Sequence, residues 1–218
     1  MNSLSSAPIG PLLDRLFAEA DAATSPTIRS FTSEERAALT TSKTQYLDLY
    51  TRLKDLWLPV SRETGELLYM LVRATGARTV VEFGTSFGIS ALYIAAALRD
   101  NGGGRLISSE FEKSKIDRAQ QNLEEAGLAD LVEIRAGDAM QTLRYDLPEC
   151  IDLLLLDGAK ALYADIFELV APKLRTGALI LADDAEMCPE YLSCIRASKE
   201  NYLSLPIAED IELSMKLS

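Results

Sequence analysis

Histidine is absent from all 218 residues. Any general base must then be Asp, Glu, Lys, Tyr or Cys, and any metal site must draw mainly on oxygen ligands. The three cysteines, Cys150, Cys188 and Cys194, lack metal-ligand spacing, which disfavours structural zinc and leans toward Mg²⁺, Mn²⁺ or Ca²⁺. Their small, odd number also suits a reducing, cytoplasmic setting rather than a disulfide framework. No apolar run approaches the roughly 18 residues of a membrane span. The opening MNSLSSAPIGP has neither the basic nor the apolar region of a secretory leader. Basic residues are in the minority, 22 against 33 acidic, leaving a net charge of −11. Without a Lys/Arg run, such a surface disfavours nucleic acid and anionic lipid and suits a divalent cation.

What is present reads as a globular chain, 48% apolar and 25% charged, long enough for one full core. Residues 1–56 are expected to form an N-terminal helical extension and 57–218 the main domain, together one structural unit. Leu12, Leu13, Leu16 and Phe17 give a helical spacing over 11–23. After the linker TSPTIRSFTS, Thr32 and Glu35 form a capping-box pattern that opens a long helix to about Leu53. A further helix runs from Glu63 to Gly76. From there short apolar runs at 78–83, 105–110, 131–136, 151–157 and 177–183 alternate with helical patterns near 89–99, 113–126, 138–144, 161–171 and 189–197. This alternation predicts a doubly wound α/β sheet, mostly parallel and covered on both faces. NYLSLPI and IELSMKL, separated by Ala-Glu-Asp, add an antiparallel closing hairpin.

In a doubly wound sheet, ligands bind beyond the carboxyl ends of the strands at the topological switch point. The first strand ends in VVEFGTSFG (80–88), where Gly84 permits close backbone approach and Gly88 eases the turn into the helix. The spacing is G-x-x-x-G, not the G-x-G-x-x-G that cradles a pyrophosphate; alone it fits a cofactor turn or a plain bend. Glu110 ends the next strand, where a carboxylate can accept both ribose hydroxyls, although an acid there also suits a helix N-terminus. Gly137-Asp138-Ala139 follows the third strand, within reach of an adenine. Together these predict a nucleoside ligand without phosphates.

The fourth strand runs into Asp157-Gly158-Ala159-Lys160 and the fifth into Asp183-Asp184. Neighbouring parallel strands lie ~4.8 Å apart, so these carboxylates can converge on a hard divalent cation. Singly, each Asp is as well explained by helix capping. Lys160 reads either as a surface residue or, beside a metal, as a base whose ammonium is pushed to lose its proton.

The blocks LPVSRETGELL (58–68), VVEFGTSFGISAL (80–92), ISSEFEKSKIDRAQQNLEEAGL (107–128), LLLLDGAKALY (153–163) and ALILADD (178–184) resemble the class I S-adenosylmethionine-dependent O-methyltransferases, specifically the cation-dependent catechol and caffeoyl-CoA group. The resemblance covers residue 45 to the end and implies a Rossmann-like, seven-stranded fold. It implies that Val60 contacts S-adenosylmethionine from the segment before the core and that Glu82, Gly84, Ser86 and Ser90 surround its methionine part. Glu110 would hold the ribose, Phe111, Asp138 and Ala139 would line the adenine pocket, and Asp157 would border the cofactor. Asp157, Asp183 and Asp184 would hold the metal, with Mg²⁺ the foremost candidate, and Lys160 would be the base. Trp57, Lys160 and Asp184 are candidates to meet an aromatic substrate with two adjacent hydroxyls. A homodimer is expected. The chain departs from the family at Asp184, where Asn is usual, adding a negative charge to the metal shell. Alternatives are an N-methyl or RNA-hydroxyl acceptor, an NAD-binding oxidoreductase, or a non-catalytic cofactor-binding module.

Overall fold

Residues 79–83, TVVEF, alternate their side chains between two faces: Val80 joins one buried cluster, while Val81 and Phe83 join another. That division runs across the sheet, because both faces carry helices. In the computed structural model, which describes residues 2–24, 27 and 31–218, the strands are β1 (Thr79–Phe83), β2 (Arg105–Glu110), β3 (Val132–Ala136), β4 (Ile151–Leu156), β5 (Leu174–Ala182), β6 (Tyr202–Pro206) and β7 (Glu212–Lys216). Their order is β3-β2-β1-β4-β5-β7-β6. β1 pairs in parallel with β2 and β4, β2 with β3, and β4 with β5. β7 runs antiparallel to β5 and β6, forming the expected hairpin. The chain reverses its direction of winding between β1 and β4, so a crevice opens there.

The helices are α1 (Ile9–Ala22), α2 (Ser33–Thr40), α3 (Tyr46–Arg52), α4 (Arg62–Thr75), α5 (Ile89–Asp100), α6 (Lys113–Glu125), α7 (Ala139–Thr142), α8 (Tyr163–Val170) and α9 (Pro189–Ala197). α1, α4 and α5, with Leu123 of α6, pack on one face of the sheet, and α8 and α9 on the other. A buried Leu or Ile contributes about 1.5–3 kcal/mol; Leu12 and Leu16 of α1 lie in the same core as Val80 and Leu153. α4 begins at Ser61, whose side chain accepts from the Thr64 N–H, and stops at Gly76, which adopts a left-handed φ of 63°. Among the described residues no helix is long and apolar enough to cross a membrane.

Two expectations are corrected. The helix predicted from residue 32 to Leu53 is two helices, α2 and α3, separated at 41–45. Side chains there compete for the backbone: Thr40 and Thr41 donate back to the carbonyls of Arg36 and Ala37, and Ser42 Oγ accepts from the N–H groups of Thr44 and Gln45. Thr32 does cap α2, accepting from the Glu35 N–H at 3.1 Å, but the Glu35 carboxylate turns to Arg52 rather than back to the cap. β5 begins at Leu174, not Gly177, and its register with β4 jumps between Ile151 and Leu153, with Gly177 at φ 78° inside the irregularity. Much of the Ser/Thr/Pro linker lies outside the described residues.

Candidate active site

Backbone pairing continues past the central strands and fixes the crevice. The Asp157 N–H donates to the Phe83 carbonyl and the Asp183 N–H to the Leu156 carbonyl, at 2.9 and 3.0 Å. The carboxyl ends of β1, β4 and β5 therefore stand level. Above them lies a cavity of about 400 Å³, within the size range of small-molecule sites.

One end of the cavity is built for a polar, neutral group. Glu110 is held by three backbone donors, the N–H groups of Ser86, Phe111 and Glu112, each at 2.9 Å. A carboxylate has about four lone-pair sites, so Glu110 is fixed in place with about one site, on Oε2, left for a further donor. Asp138 caps α7 through the Met140 N–H, and its other oxygen accepts from the Tyr46 hydroxyl at 2.9 Å. Burial and this carboxylate push the Tyr46 phenol up to about 12.

The other end is acidic. Asp157, Asp183, Asp184 and Asp210 all line it. Lys160 stands among them, its Nζ 2.9 Å from Asp184 Oδ2 and 3.4 Å from Asp157 Oδ1. It also donates to the Tyr163 hydroxyl at 2.8 Å and the Asp183 carbonyl at 3.2 Å, while that hydroxyl donates to the same carbonyl. Burial alone would lower the Lys160 pKa, but Tyr163, Asp157 and Asp184 hold it well above its ordinary value. Burial, with repulsion from neighbouring acids, raises both Asp157 and Asp183. The aspartates and Tyr163 thus oppose the loss of the Lys160 proton expected beside a metal. Among the described residues no three His, Cys, Asp or Glu side chains are placed to hold a metal ion together, and Asp157 and Asp184 both face Lys160.

Residues 81–185 match a family model described as a methyltransferase domain. That segment is similar to a methyltransferase domain. It is 34% identical over 130 residues to a catechol O-methyltransferase of Niastella koreensis, the match covering 58% of each chain. It is 32% identical over 127 residues to a catechol O-methyltransferase of Mycobacterium tuberculosis, covering 58% of this chain and 57% of that one. The match therefore spans under two thirds of these relatives' length. An O-methyltransferase from Bacillus cereus in complex with SAH superposes with a TM-score of 0.68 at 21% identity, covering 99% of this chain and 95% of that one. A Streptomyces achromogenes O-methyltransferase in complex with SAM gives 0.65 at 22%, covering 93% and 95%. At such identities the superpositions speak for the fold.

The cavity gathers Gly84, Ser86, Glu110, Phe111, Asp138, Ala139, Asp157, Lys160, Asp183 and Asp184. Val60, Ser90 and Trp57 line a narrower adjoining recess instead, and Trp57 stacks on Phe87 with ring centroids 4.2 Å apart. Glu82 lines neither; it lies beneath the turn, fully buried, accepting from the Ser90 and Ser108 hydroxyls. Tyr46, Tyr50, Lys115 and Asp210 are among the lining residues that escaped the sequence reading. Tyr46 and Tyr50 are spaced i, i+4 on α3, a legible helical pair. Lys115 shares the buried stripe of α6 with Ala119 and Asn122, an odd place for a lysine. Asp210, at the hairpin tip, gave no signal beyond its charge.

The buried Glu82 makes stability depend on pH. Burial raises its pKa from 4.5 to about 7, against the lowering effect of the two serine hydroxyls. Between those values the folded chain holds a proton that the unfolded chain has released, so stability falls as pH rises, by about 3 kcal/mol in all. Glu82→Gln is expected to remove this fall. Urea unfolding across that window checks it: identical pH profiles for variant and parent would contradict the assignment.

Proposed function

We propose that this chain binds S-adenosylmethionine in the cavity and transfers its methyl group to a hydroxyl of a catechol-like aromatic small molecule, with a divalent cation at the acidic end. The observation that carries the reading is one cavity with two chemically opposite ends: a backbone-anchored Glu110 at one, and Lys160 among four aspartates at the other. The names of the two bacterial relatives support the acceptor class.

The donor fits residues already in place. Glu110 retains an acceptor site for a ribose hydroxyl, Phe111 and Ala139 offer apolar contact to a base, and Gly84 and Ser86 line the cavity where the sulfonium arm would run. The acidic end offers only hard oxygen donors, the chemistry of Mg²⁺, Mn²⁺ or Ca²⁺, from Asp157, Asp183 and Asp184. Bound there, a divalent cation supplies positive charge that favours the ionised acceptor hydroxyl and offsets the aspartates' hold on the Lys160 proton. Lys160, once its own proton has passed to solvent, takes the hydroxyl proton at Nζ. Tyr163 fixes that nitrogen by hydrogen bonding to it and to the Asp183 carbonyl. The cavity walls align the acceptor oxygen with the methyl carbon, whose bond to sulfur breaks as the new C–O bond forms. Holding the two about 3 Å apart supplies much of the acceleration. Tyr46, Leu47, Tyr50 and Leu58 line the cavity from the N-terminal side, offering apolar contact to a ring.

Calorimetric titration tests the reading: S-adenosylmethionine and S-adenosylhomocysteine should bind and NAD should not, and a catechol should bind more tightly with Mg²⁺ than with EDTA. NAD binding without adenosylmethionine binding would sink it.

A further inference from the structure

Lys115 is 5% exposed yet lines the cavity. Its Nζ makes one long hydrogen bond, 3.4 Å to Ser86 Oγ, and stands 5.2 Å from the centre of the Phe87 ring. Among the described residues it makes no ion pair. Glu110, Glu112, Asp157 and Asp55 act on it only at longer range, and burial lowers its pKa. A buried ammonium without a counter-ion is costly, and nothing in the fold requires one at this place. A carboxylate lodged beside Nζ would relieve that cost.

The rest of the cavity says which anion. If Glu110 holds the ribose, and Asp157 and Lys160 mark where the methyl group leaves, the part of the donor left to place is its amino-acid arm. That arm falls along the Gly84–Ser86 turn. Glu82, Gly84, Ser86 and Ser90, the residues expected around it, include no positive charge, and Glu82 is an acid. Lys115 reaches the turn from α6 and touches Ser86.

We propose that Lys115 binds the α-carboxylate of S-adenosylmethionine and of the product S-adenosylhomocysteine, acting as the charged anchor of the donor's amino-acid arm. This rests on the methyltransferase reading above. It makes Lys115 a determinant of cofactor specificity: the site should distinguish the intact donor from nucleosides that lack the carboxylate.

The test is calorimetric, on the full chain, with S-adenosylhomocysteine and 5′-methylthioadenosine, which keeps the adenosine and the thioether but has no amino-acid arm. Lys115→Met should weaken S-adenosylhomocysteine about 10- to 100-fold and leave methylthioadenosine within about threefold. Lys115→Arg should restore most of the loss. If the Met variant does not fold, judged by its melting, Lys115→Gln serves in its place. Equal losses for both ligands, or no loss for either, overturns the proposal. So does a change confined to the acceptor's KM at saturating donor, which would place the anion on the acceptor. A parent protein that binds neither S-adenosylmethionine nor S-adenosylhomocysteine refutes the methyltransferase reading itself; one that binds S-adenosylhomocysteine no better than methylthioadenosine refutes Lys115 alone.

Discussion

Lys160→Met is expected to lower kcat about 10²- to 10⁴-fold, the range that a positioned general base contributes. Donor affinity should stay within about threefold, because the proposed ribose contact at Glu110 lies at the other end of the cavity. The variant should also reveal what the lysine does at rest. Its ammonium faces Asp184 and Asp157 and fixes the Asp183 carbonyl and the Tyr163 hydroxyl. Without it the buried acids confront one another unscreened, a situation worth several kcal/mol where charges are desolvated. A divalent cation on those acids would restore the balance, so the variant's melting temperature should rise with Mg²⁺ more than the parent's does. Single-turnover kinetics and melting curves, with Mg²⁺ and with EDTA, check both halves. A Lys160→Met protein that turns over like the parent would remove the lysine from the chemistry.

Gly84→Ala should be the most damaging small substitution in the chain. Gly84 has φ 106°, and a Cβ placed there would lie 2.3 Å from the Asp157 carbonyl oxygen and 2.9 Å from Gly158 Cα. Those are backbone atoms of the paired neighbouring strand end, which cannot rotate aside. The left-handed conformation alone costs an L-residue about 1–2 kcal/mol, and the overlap must be relieved by parting β1 from β4. A loss of more than about 3 kcal/mol is expected, together with loss of donor binding. Gly76→Ala is the control: its φ of 63° is also left-handed, but nothing lies within 4 Å of the added methyl, so only the conformational cost of about 1 kcal/mol remains. Urea denaturation of the two variants separates the effects. Equal, small losses would mean that the β1–β4 junction is not tightly fixed.

The sheet was legible because its central strands β1, β4 and β5 carry apolar runs that end beside Gly or acidic residues, as strands covered on both faces do. β2 falls on residues 105–110 as read, and the hairpin stands where NYLSLPI and IELSMKL placed it. The placement of Glu110, Asp138, Asp157 and Asp183 followed from the same pattern, since each ends or directly follows a strand and the switch point decides where strand ends meet. What periodicity could not supply was the geometry of side chains competing with backbone. Thr40, Thr41 and Ser42 break the predicted long helix, and that break sets the short α3 apart, with Tyr46 and Tyr50 lining the cavity. The surroundings of Lys160 were also hidden: spacing put it near the aspartates, but not beside the Tyr163 hydroxyl and the Asp183 carbonyl that it donates to. Asp210 arrives from the hairpin tip, far along the chain, where spacing carries no information about distance.

Methyl transfer measured directly is the sharpest test of the account: purified chain, S-adenosylmethionine labelled in the methyl group, a panel of catechols and their mono-hydroxy counterparts, with Mg²⁺ and again with EDTA. The account predicts mono-O-methylated catechol and S-adenosylhomocysteine in equal amounts, with little product from the mono-hydroxy compounds and little in EDTA. Full activity in EDTA would contradict the role given to Asp157, Asp183 and Asp184, and adenosylmethionine binding without transfer to any hydroxyl would contradict the central claim.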